Sequence, residues 1–314
     1  MWNVLQTVFG QMMIVLCMLL VGYFFNRRQW VSQEAEAVLS KLVTKLFLPA
    51  LTFNTFLTRC TVENLREDWT LLLYGGVICL VSIAVSYPLS GWMARDDRYL
   101  AGVMRYAISF PNTGGVAYPL MLSMYGTMGL FRFNLFSLIN LVFCYSWGIA
   151  QFSPETEQTT PLQKLKKVFN PNFVAILLGG ALGLTGVAAA LPGAFYEGLE
   201  RLGSCYTPVA LLLAGYVIAD YPLREAFGDK KVYLMTALRL VLLPLSGLLV
   251  LKLLGVSDTV MLMACMTLVC PCGMNVVVFP ASYGQSSRFG ASLVLSSSVL
   301  SVITVPLLFA LFCG

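Results

Sequence analysis

The hydrophobic positions of this chain form long stretches that short polar segments separate. A helix needs about 20 apolar residues to cross the hydrocarbon core of a bilayer, and ten stretches approach that length. The pattern therefore predicts an all-α membrane protein with ten transmembrane spans. Their approximate limits are 5–25, 35–54, 69–93, 99–125, 130–150, 173–191, 199–219, 232–254, 259–283 and 289–312.

Spans 4 and 9 are predicted to break in their middle. Proline lacks a backbone donor and glycine favours non-helical backbone, so both disfavour a continuous helix. Non-helical backbone at membrane depth is tolerated only where protein or water covers it, and paired breaks are typical of transporter binding sites. The helix-breaking residues are Pro111, Gly114, Gly115 and Pro119 in span 4, and Pro271, Gly273 and Pro280 in span 9.

Landmarks recur in the two halves of the chain at nearly constant separation, which indicates an internal duplication. Pro49 in span 2 corresponds to Pro208 in span 7, and Pro111 corresponds to Pro271. Because five spans is an odd number, the second copy must insert upside down relative to the first. The predicted units are a first repeat at 1–150, a central cytoplasmic connection with the start of span 6 at 151–172, and an inverted second repeat at 173–314.

Composition limits the possible functions. The 314 residues are 58% hydrophobic and only 11% charged, whereas a soluble chain carries about 25% charged residues. The loops are too short for a soluble catalytic domain, and the net charge of +5 comes from scattered basic residues. We therefore expect neither an enzyme nor a nucleic-acid partner. Histidine is absent, which excludes His-based catalysis, metal ligation and proton relay.

The nine cysteines lie mostly inside apolar runs and are interpreted as small buried hydrophobic residues. Cys270 and Cys272, which flank Pro271, would suit a soft metal ion such as Cu(I). Histidine and acidic partners are missing nearby, and the first break contains no cysteine. We therefore predict no metal site and no cofactor.

The breaks form the candidate binding site. Second half-helices are expected to begin near residues 113–116 and 273–276, and their free N–H groups favour an anion. Inverted copies bring these two N-termini towards one point near the midplane. Asn112 and Asn275 add amide groups there. The alternative is that each asparagine only satisfies backbone groups freed by the break. The predicted substrate-binding residues are Lys45, Asn112, Thr113, Gly114, Gly115, Gly273, Met274 and Asn275.

Basic residues inside spans are costly and usually face a cavity or a partner. Lys41 and Lys45 share one helix face, and Lys45, near the midplane, either attracts an anion or pairs with a carbonyl at a helix end. Arg105 and Arg239 lie nearer the cytoplasm and either act in function or extend to the surface. No Asp or Glu falls inside a span, so no carrier for protons or sodium is evident, although backbone carbonyls at the breaks would also bind Na⁺.

The distribution of basic loop residues predicts the orientation. Cytoplasmic loops carry an excess of Lys and Arg, and here the loops after odd-numbered spans hold most of them, among them Arg27, Arg28, Lys164, Lys166 and Lys167. Both termini are therefore expected outside. The predicted location is the plasma membrane, which is the inner membrane in a bacterium.

The chain resembles the auxin efflux carrier family, in its bacterial branch of malate- and malonate-type permeases, over essentially its whole length. The resemblance rests on the two inverted five-span repeats and on the residues in and around the two breaks. These residues are Pro111, Asn112, Thr113, Gly114, Gly115, Pro119, Gly273, Met274, Asn275, Tyr283 and Gly284. It implies a scaffold part and a transport part, crossed helices 4 and 9, elevator-like alternating access and a homodimer. It also implies that Asn112 contacts the substrate carboxylate and that Asn275 is its counterpart. Cys270 and Cys272 depart from the family pattern.

The leading hypothesis is an efflux or exchange carrier for small organic anions, such as mono- or dicarboxylates. One alternative is a sodium-coupled organic anion importer that resembles the bile-acid symporters. Another is a membrane sensor that binds an anion without moving it.

Overall fold

The computed structural model describes residues 2–30, 32–95, 97–152, 169–220, 229–286 and 288–313, so most of the predicted central connection lies outside the described residues. Within these ranges every regular element is helical, as predicted. The α-helices are α1 (Trp2–Arg27), α2 (Gln33–Leu42), α3 (Leu48–Arg59), α4 (Val62–Ala94), α5 (Arg98–Ser109), α6 (Tyr118–Phe143), α7 (Pro171–Leu184), α8 (Gly193–Ser204), α9 (Tyr206–Ala219), α10 (Lys230–Ala237), α11 (Leu243–Leu253), α12 (Asp258–Leu268), α13 (Asn275–Ser282) and α14 (Arg288–Cys313).

Six helical segments of the described chain are long and apolar enough to cross a membrane. They are Val8–Arg27, Val62–Ala94, Thr113–Gly148, Gly193–Ala219, Lys230–Leu253 and Arg288–Cys313. The shorter apolar helices α7 and α12 lie where spans 6 and 9 were predicted. Large apolar side chains cover much of the outer surface; α4, for example, exposes Leu73, Val77, Leu80 and Val81. Such a surface suits a lipid environment.

Both predicted breaks are present. Helix α5 ends at Ser109, and helical structure resumes at Thr113 in a π-helical turn that leads into α6. Helix α12 ends at Leu268, and α13 begins at Asn275. The second half-helices therefore begin where the sequence predicted. Helix α6 is itself interrupted at Gly126, whose φ of 61° and ψ of −159° require the freedom of glycine.

Three π-helical turns are each followed by a proline two residues later. A proline removes one backbone donor, and its ring clashes with the carbonyl four residues earlier in an α-helix. A π turn is wider and pairs residues five apart, so the helix continues past the ring. The pairs are Val43–Phe47 with Pro49, Thr113–Ala117 with Pro119, and Leu238–Leu242 with Pro244.

Two of the four prolines predicted to break helices lie inside helices instead. Pro119 is the second residue of α6, directly after a π turn, and Pro280 lies within α13. Pro280 supplies no donor for the carbonyl of Val276. Gly290 of α14 approaches that carbonyl so closely that an added Cβ would lie 2.4 Å from its oxygen. Tertiary contacts thus cover the backbone that these prolines leave unbonded.

Glycines allow close contact between distant helices. A Cβ added to Gly22 of α1 would lie 1.9 Å from the carbonyl oxygen of Leu212 in α9. A Cβ added to Gly215 of α9 would lie 1.9 Å from the carbonyl oxygen of Leu19 in α1. Helix α7 packs against α3 similarly, since a Cβ on Gly183 would lie 2.7 Å from a carbonyl oxygen of α3.

Candidate functional site

The two breaks pair with each other through their backbones. The N–H of Asn112 donates to the carbonyl oxygen of Pro271 at 2.9 Å, and Pro111 and Cys272 form an antiparallel bridge. A Cβ added to Gly273 would lie 3.3 Å from the carbonyl oxygen of Pro111, so a small residue fits this contact best. The pairing brings the starts of both second half-helices together. Pro111 and Pro271 are the predicted helix-breaking prolines that lie within the breaks.

A cavity of about 260 Å³ lies beside the paired breaks. Sites for drug-sized ligands span about 300–1,000 Å³, so this cavity suits a smaller molecule. Seven of the eight predicted binding residues line it together, and they come from both breaks. They are Asn112, Thr113, Gly114, Gly115, Gly273, Met274 and Asn275.

The structure does not bring the eighth residue, Lys45, to this cavity. Val43 and Thr44 line the cavity from the π turn, and Leu48 lines it from the start of α3. Lys45 is not among the lining residues, and its side chain is exposed. The wide π turn at Val43–Phe47 therefore places the residues just before Lys45 at the cavity and leaves Lys45 itself outside the lining.

Asn112 caps the second half-helix of span 4. Its Oδ1 accepts a hydrogen bond from the N–H of Gly115 at 3.0 Å. The amide NH₂ of Asn112 remains as a donor, while its Oδ1 keeps one further lone pair. A Cβ on Gly115 would lie 2.7 Å from that Oδ1, so glycine permits the cap. Capping and ligand contact are therefore compatible roles for the same side chain.

Asn275, at the start of α13, lies beside a thiol and a phenol. Its Nδ2 donates to the Sγ of Cys144 at 3.8 Å, and the hydroxyl of Tyr106 lies 2.9 Å from the same sulfur. These contacts leave the Oδ1 of Asn275 as an acceptor. The two break asparagines thus differ, because Asn112 offers a donor to the cavity and Asn275 offers an acceptor.

Two further asparagines line the cavity from the start of α7, and the sequence analysis did not identify them. The Oδ1 of Asn170 caps α7 by accepting from the N–H of Phe173 at 3.0 Å, while its Nδ2 is buried without a hydrogen-bond partner. The Oδ1 of Asn172 accepts from the hydroxyl of Thr52 at 2.7 Å. The NH₂ group of Asn170 remains as a donor, and that of Asn172, which also interacts with the hydroxyl of Tyr118, keeps one N–H for a ligand. The sequence signal that could have identified them is a pair of asparagines at the edge of an apolar run.

Two tyrosines and a buried asparagine add further polar groups to the lining. The hydroxyl of Tyr206 in α9 donates to the carbonyl oxygen of Gly114 at 2.9 Å. The hydroxyl of Tyr118 donates to the Oδ1 of Asn134, whose Nδ2 donates to the carbonyl oxygen of Leu130 at 2.8 Å. Asn134 is therefore fully engaged and supports the wall of the cavity.

Among the described residues that line the cavity, none carries a charged side chain. Three of the lining asparagines, Asn112, Asn170 and Asn172, have their oxygens engaged and their NH₂ groups available. The N-termini of two half-helices add partial positive charge. The cavity is thus rich in hydrogen-bond donors without a formal charge, and this arrangement suits a ligand with acceptor oxygens.

The basic residues predicted inside spans have different surroundings. Arg105 is half-buried, donates to the hydroxyl of Ser90 at 3.1 Å and stacks 4.6 Å above the ring of Tyr87. Arg239 is 2% exposed and does not extend to the surface. Lys41 is exposed. Of Lys41, Arg105 and Arg239, Arg239 is therefore the residue whose side chain is fully buried in the protein.

Known proteins resemble this chain over nearly its whole length. The family model described as membrane transport protein matches residues 7–309. An uncharacterized transporter of Methanothermobacter thermautotrophicus is 25% identical over 301 residues, which cover 93% of this chain and 94% of the relative. The uncharacterized transporter YfdV of Escherichia coli K12 is 23% identical over 306 residues, or 95% of each chain.

These matches agree with the apolar helices and with the expectation that the chain is not an enzyme. They confirm the resemblance that the residues around the two breaks suggested. The chain is an integral membrane protein and belongs to the family of membrane transport proteins that includes the auxin efflux carriers.

Proposed function

We propose that the chain is a secondary transporter of small organic anions, such as mono- or dicarboxylates. It acts as an efflux or exchange carrier by alternating access. One observation carries the proposal: the cavity at the paired breaks offers the amide NH₂ groups of Asn112, Asn170 and Asn172, whose oxygens are already engaged. A carboxylate has only acceptors, so these donors match it.

The proposed contacts come from both breaks. The backbone and side chains of Asn112, Thr113, Gly114 and Gly115 hold the carboxylate at the N-terminus of one half-helix. Gly273, Met274 and Asn275 contact the rest of the substrate, and the Oδ1 of Asn275 accepts from a hydroxyl group where the substrate has one. Lys45 has no part in this set because it does not line the cavity.

The proposed architecture is ten spans arranged as two inverted five-helix repeats, at 1–150 and 173–314. If symmetry relates the two repeats, span 1 corresponds to span 6 and span 7 corresponds to span 2. The close contact of α1 with α9 would then correspond to the close contact of α7 with α3, and both contacts use glycines. The reciprocal pairing of the two breaks also supports this symmetry.

The proposed movement is elevator-like. The breaks of spans 4 and 9 are bonded to each other, so they can move as one transport part against a scaffold part that forms a homodimer. Both termini lie outside the cell in this arrangement. The movement carries the cavity between the two sides of the membrane without opening a continuous pore.

Binding can be tested by thermal unfolding of the purified protein with a panel of carboxylates. We expect at least one small mono- or dicarboxylate to raise the unfolding temperature, and its methyl ester to bind at least about tenfold more weakly, a difference of about 1.4 kcal/mol. Asn112→Ala and Asn275→Ala should weaken the stabilisation. If the shift persists unchanged in both variants, the proposed site is wrong.

Transport can be tested in liposomes with the carboxylate that gives the largest shift. We expect labelled substrate to cross the membrane faster than in empty vesicles, and unlabelled substrate on the opposite side to accelerate exchange. Flux that requires a sodium gradient would favour the importer hypothesis instead. Binding without flux would favour a sensor.

A further inference from the structure

Arg239 lies where the first half-helices of both breaks end. Its guanidinium donates to the carbonyl oxygen of Ile108 at 3.3 Å and to that of Thr267 at 3.2 Å. Ile108 lies in the last turn of α5, and Thr267 lies in the last turn of α12. One buried side chain therefore contacts both helix ends.

The carbonyls at these ends attract a cation. The last four carbonyls of an α-helix have no partner within the helix, and each C-terminus carries roughly half a negative elementary charge. Two such ends together carry about one negative charge, which a single arginine balances. Arg132 pairs with Asp68 and Arg201 pairs with Glu197, and no carboxylate of the described residues forms an ion pair with Arg239.

A small cavity lies next to the guanidinium. It measures about 10 Å³ and is lined by Arg239, Ser109 and Ser137, among others. The Nε of Arg239 and the Oγ atoms of both serines are buried without a hydrogen-bond partner. A space of this size holds about one water molecule. Backbone carbonyls, and not an acidic side chain, thus bind Arg239, and the small cavity leaves room for a water molecule beside its Nε.

We infer that Arg239 is the permanent counter-cation of the paired breaks and makes their net charge favour an anion. With the two C-termini neutralised, the two N-termini that face the cavity keep their partial positive charge. Arg239 is a positioning residue in this role, since it does not line the substrate cavity. It also occupies the carbonyls that would otherwise bind Na⁺, so anion binding requires no sodium. The part that concerns the anion rests on the proposed function.

The first experiment needs no substrate. We expect Arg239→Ala to lower the unfolding temperature, and free guanidinium, far below denaturing concentrations, to restore part of the loss by binding the vacated carbonyls. Tetramethylammonium is too large and forms no hydrogen bonds, so it should not restore stability. Arg105→Ala is the matched control and should show no guanidinium rescue. Equal guanidinium effects in both variants and in the wild type would overturn the inference.

The second experiment measures carboxylate affinity in sodium chloride and in choline chloride. We expect equal wild-type affinity in both salts, nearly unchanged affinity in Arg239→Lys, and at least tenfold weaker binding in Arg239→Met. Wild-type binding that requires sodium, or an Arg239→Met variant that binds as tightly as the wild type, would overturn the inference while the proposed function stands. If no carboxylate binds the wild type, the proposed function fails, and guanidinium rescue still decides the role of Arg239. If Arg239→Ala and Arg239→Met do not fold, carboxylate binding by Arg239→Lys is compared in sodium chloride and in choline chloride. Binding by Arg239→Lys that requires sodium would overturn the inference.

Discussion

The hydroxyl of Tyr206 supplies the hydrogen bond that Pro119 cannot give to the carbonyl of Gly114. In the π turn, the N–H of Tyr118 bonds to the carbonyl of Thr113, five residues earlier. The next residue is Pro119, which has no N–H for the carbonyl of Gly114, and Tyr206 donates to that carbonyl at 2.9 Å. Helix α9 therefore stabilises the first turn of the second half-helix of span 4.

Tyr206→Phe should destabilise the protein by about 0.5–1.5 kcal/mol, the usual net contribution of one hydrogen bond, because Gly114 lines the cavity and is only partly buried. The measurement is thermal or denaturant unfolding in detergent. Tyr74→Phe is the control, because the side chain of Tyr74 is 37% exposed on α4 and its hydroxyl should matter little. A Tyr206→Phe variant as stable as this control would contradict the assigned role.

Pro119→Ala should reduce the effect of Tyr206→Phe. Alanine restores an N–H at residue 119, and this N–H can bond to the carbonyl of Gly114 within the π turn. A double-mutant cycle would measure the coupling, which is expected at about 0.5–3 kcal/mol for residues that share a partner. Additive effects would indicate that the two residues act on different groups.

Asn112→Asp separates the capping role of Asn112 from ligand contact. Aspartate caps a helix about as well as asparagine, so the stability of the protein without ligand should change little. The substitution removes the donating NH₂ and adds a negative charge, so carboxylate affinity should fall by at least about tenfold, or 1.4 kcal/mol. Titration of the carboxylate that best stabilises the wild type would measure this.

The matched control for this variant is Ser32→Asp, which changes the N-cap of α2 and does not involve a residue lining the cavity. It should leave both stability and carboxylate affinity nearly unchanged. If Asn112→Asp also retains full affinity, then Asn112 serves only as a cap.

Asn170→Ser should weaken carboxylate binding with little change in stability. Serine preserves the cap of α7, but it removes the buried Nδ2 that has no partner in the protein. We expect a loss of about 0.5–1.5 kcal/mol in binding free energy, the usual net contribution of one hydrogen bond. Isothermal titration would measure it, and a stronger effect on folding than on binding would contradict the proposed contact.

Gly22→Ala should destabilise the contact of α1 with α9 by about 3 kcal/mol or more, the upper part of the range for overpacking. The new Cβ would lie 1.9 Å from a backbone carbonyl oxygen that cannot move independently. Gly10→Ala in the same helix is the control, since a Cβ there meets no atom within 4 Å. It should be neutral or stabilise the helix by up to about 1 kcal/mol.

The breaks were predictable because their cause is local. Pro111 and Pro271 cannot donate, and this property holds in any surroundings. Asn112 and Asn275 were found because Asn112 directly follows Pro111 and Asn275 lies four residues after Pro271. The sequence could not show that Pro119 and Pro280 stay inside helices. The carbonyls that these prolines leave unbonded are contacted by Tyr206 and Gly290, which come from distant parts of the chain.

The remaining cavity residues depend on tertiary structure. Asn170 and Asn172 belong to a helix that the chain reaches long after the first break, and no local pattern places them beside it. Lys45 was assigned to the cavity from its depth in span 2. Depth is a property of position along the helix, whereas the facing direction depends on the π turn at Val43–Phe47, which an α-helical projection does not contain.

The π turns make the number of residues in the helices that contain them important in evolution. Each π turn holds one more residue than the α-helical path between the same points. Deleting one residue from Val43–Phe47 would restore regular α-helical bonding between the same flanking segments, so the helix faces before and after the turn would stay aligned. The deletion would still change the part of the cavity wall that Val43 and Thr44 form, and it would place the ring of Pro49 against a carbonyl of a regular α-helical turn. An alignment gap at this point would therefore mark a more profound change than most point substitutions.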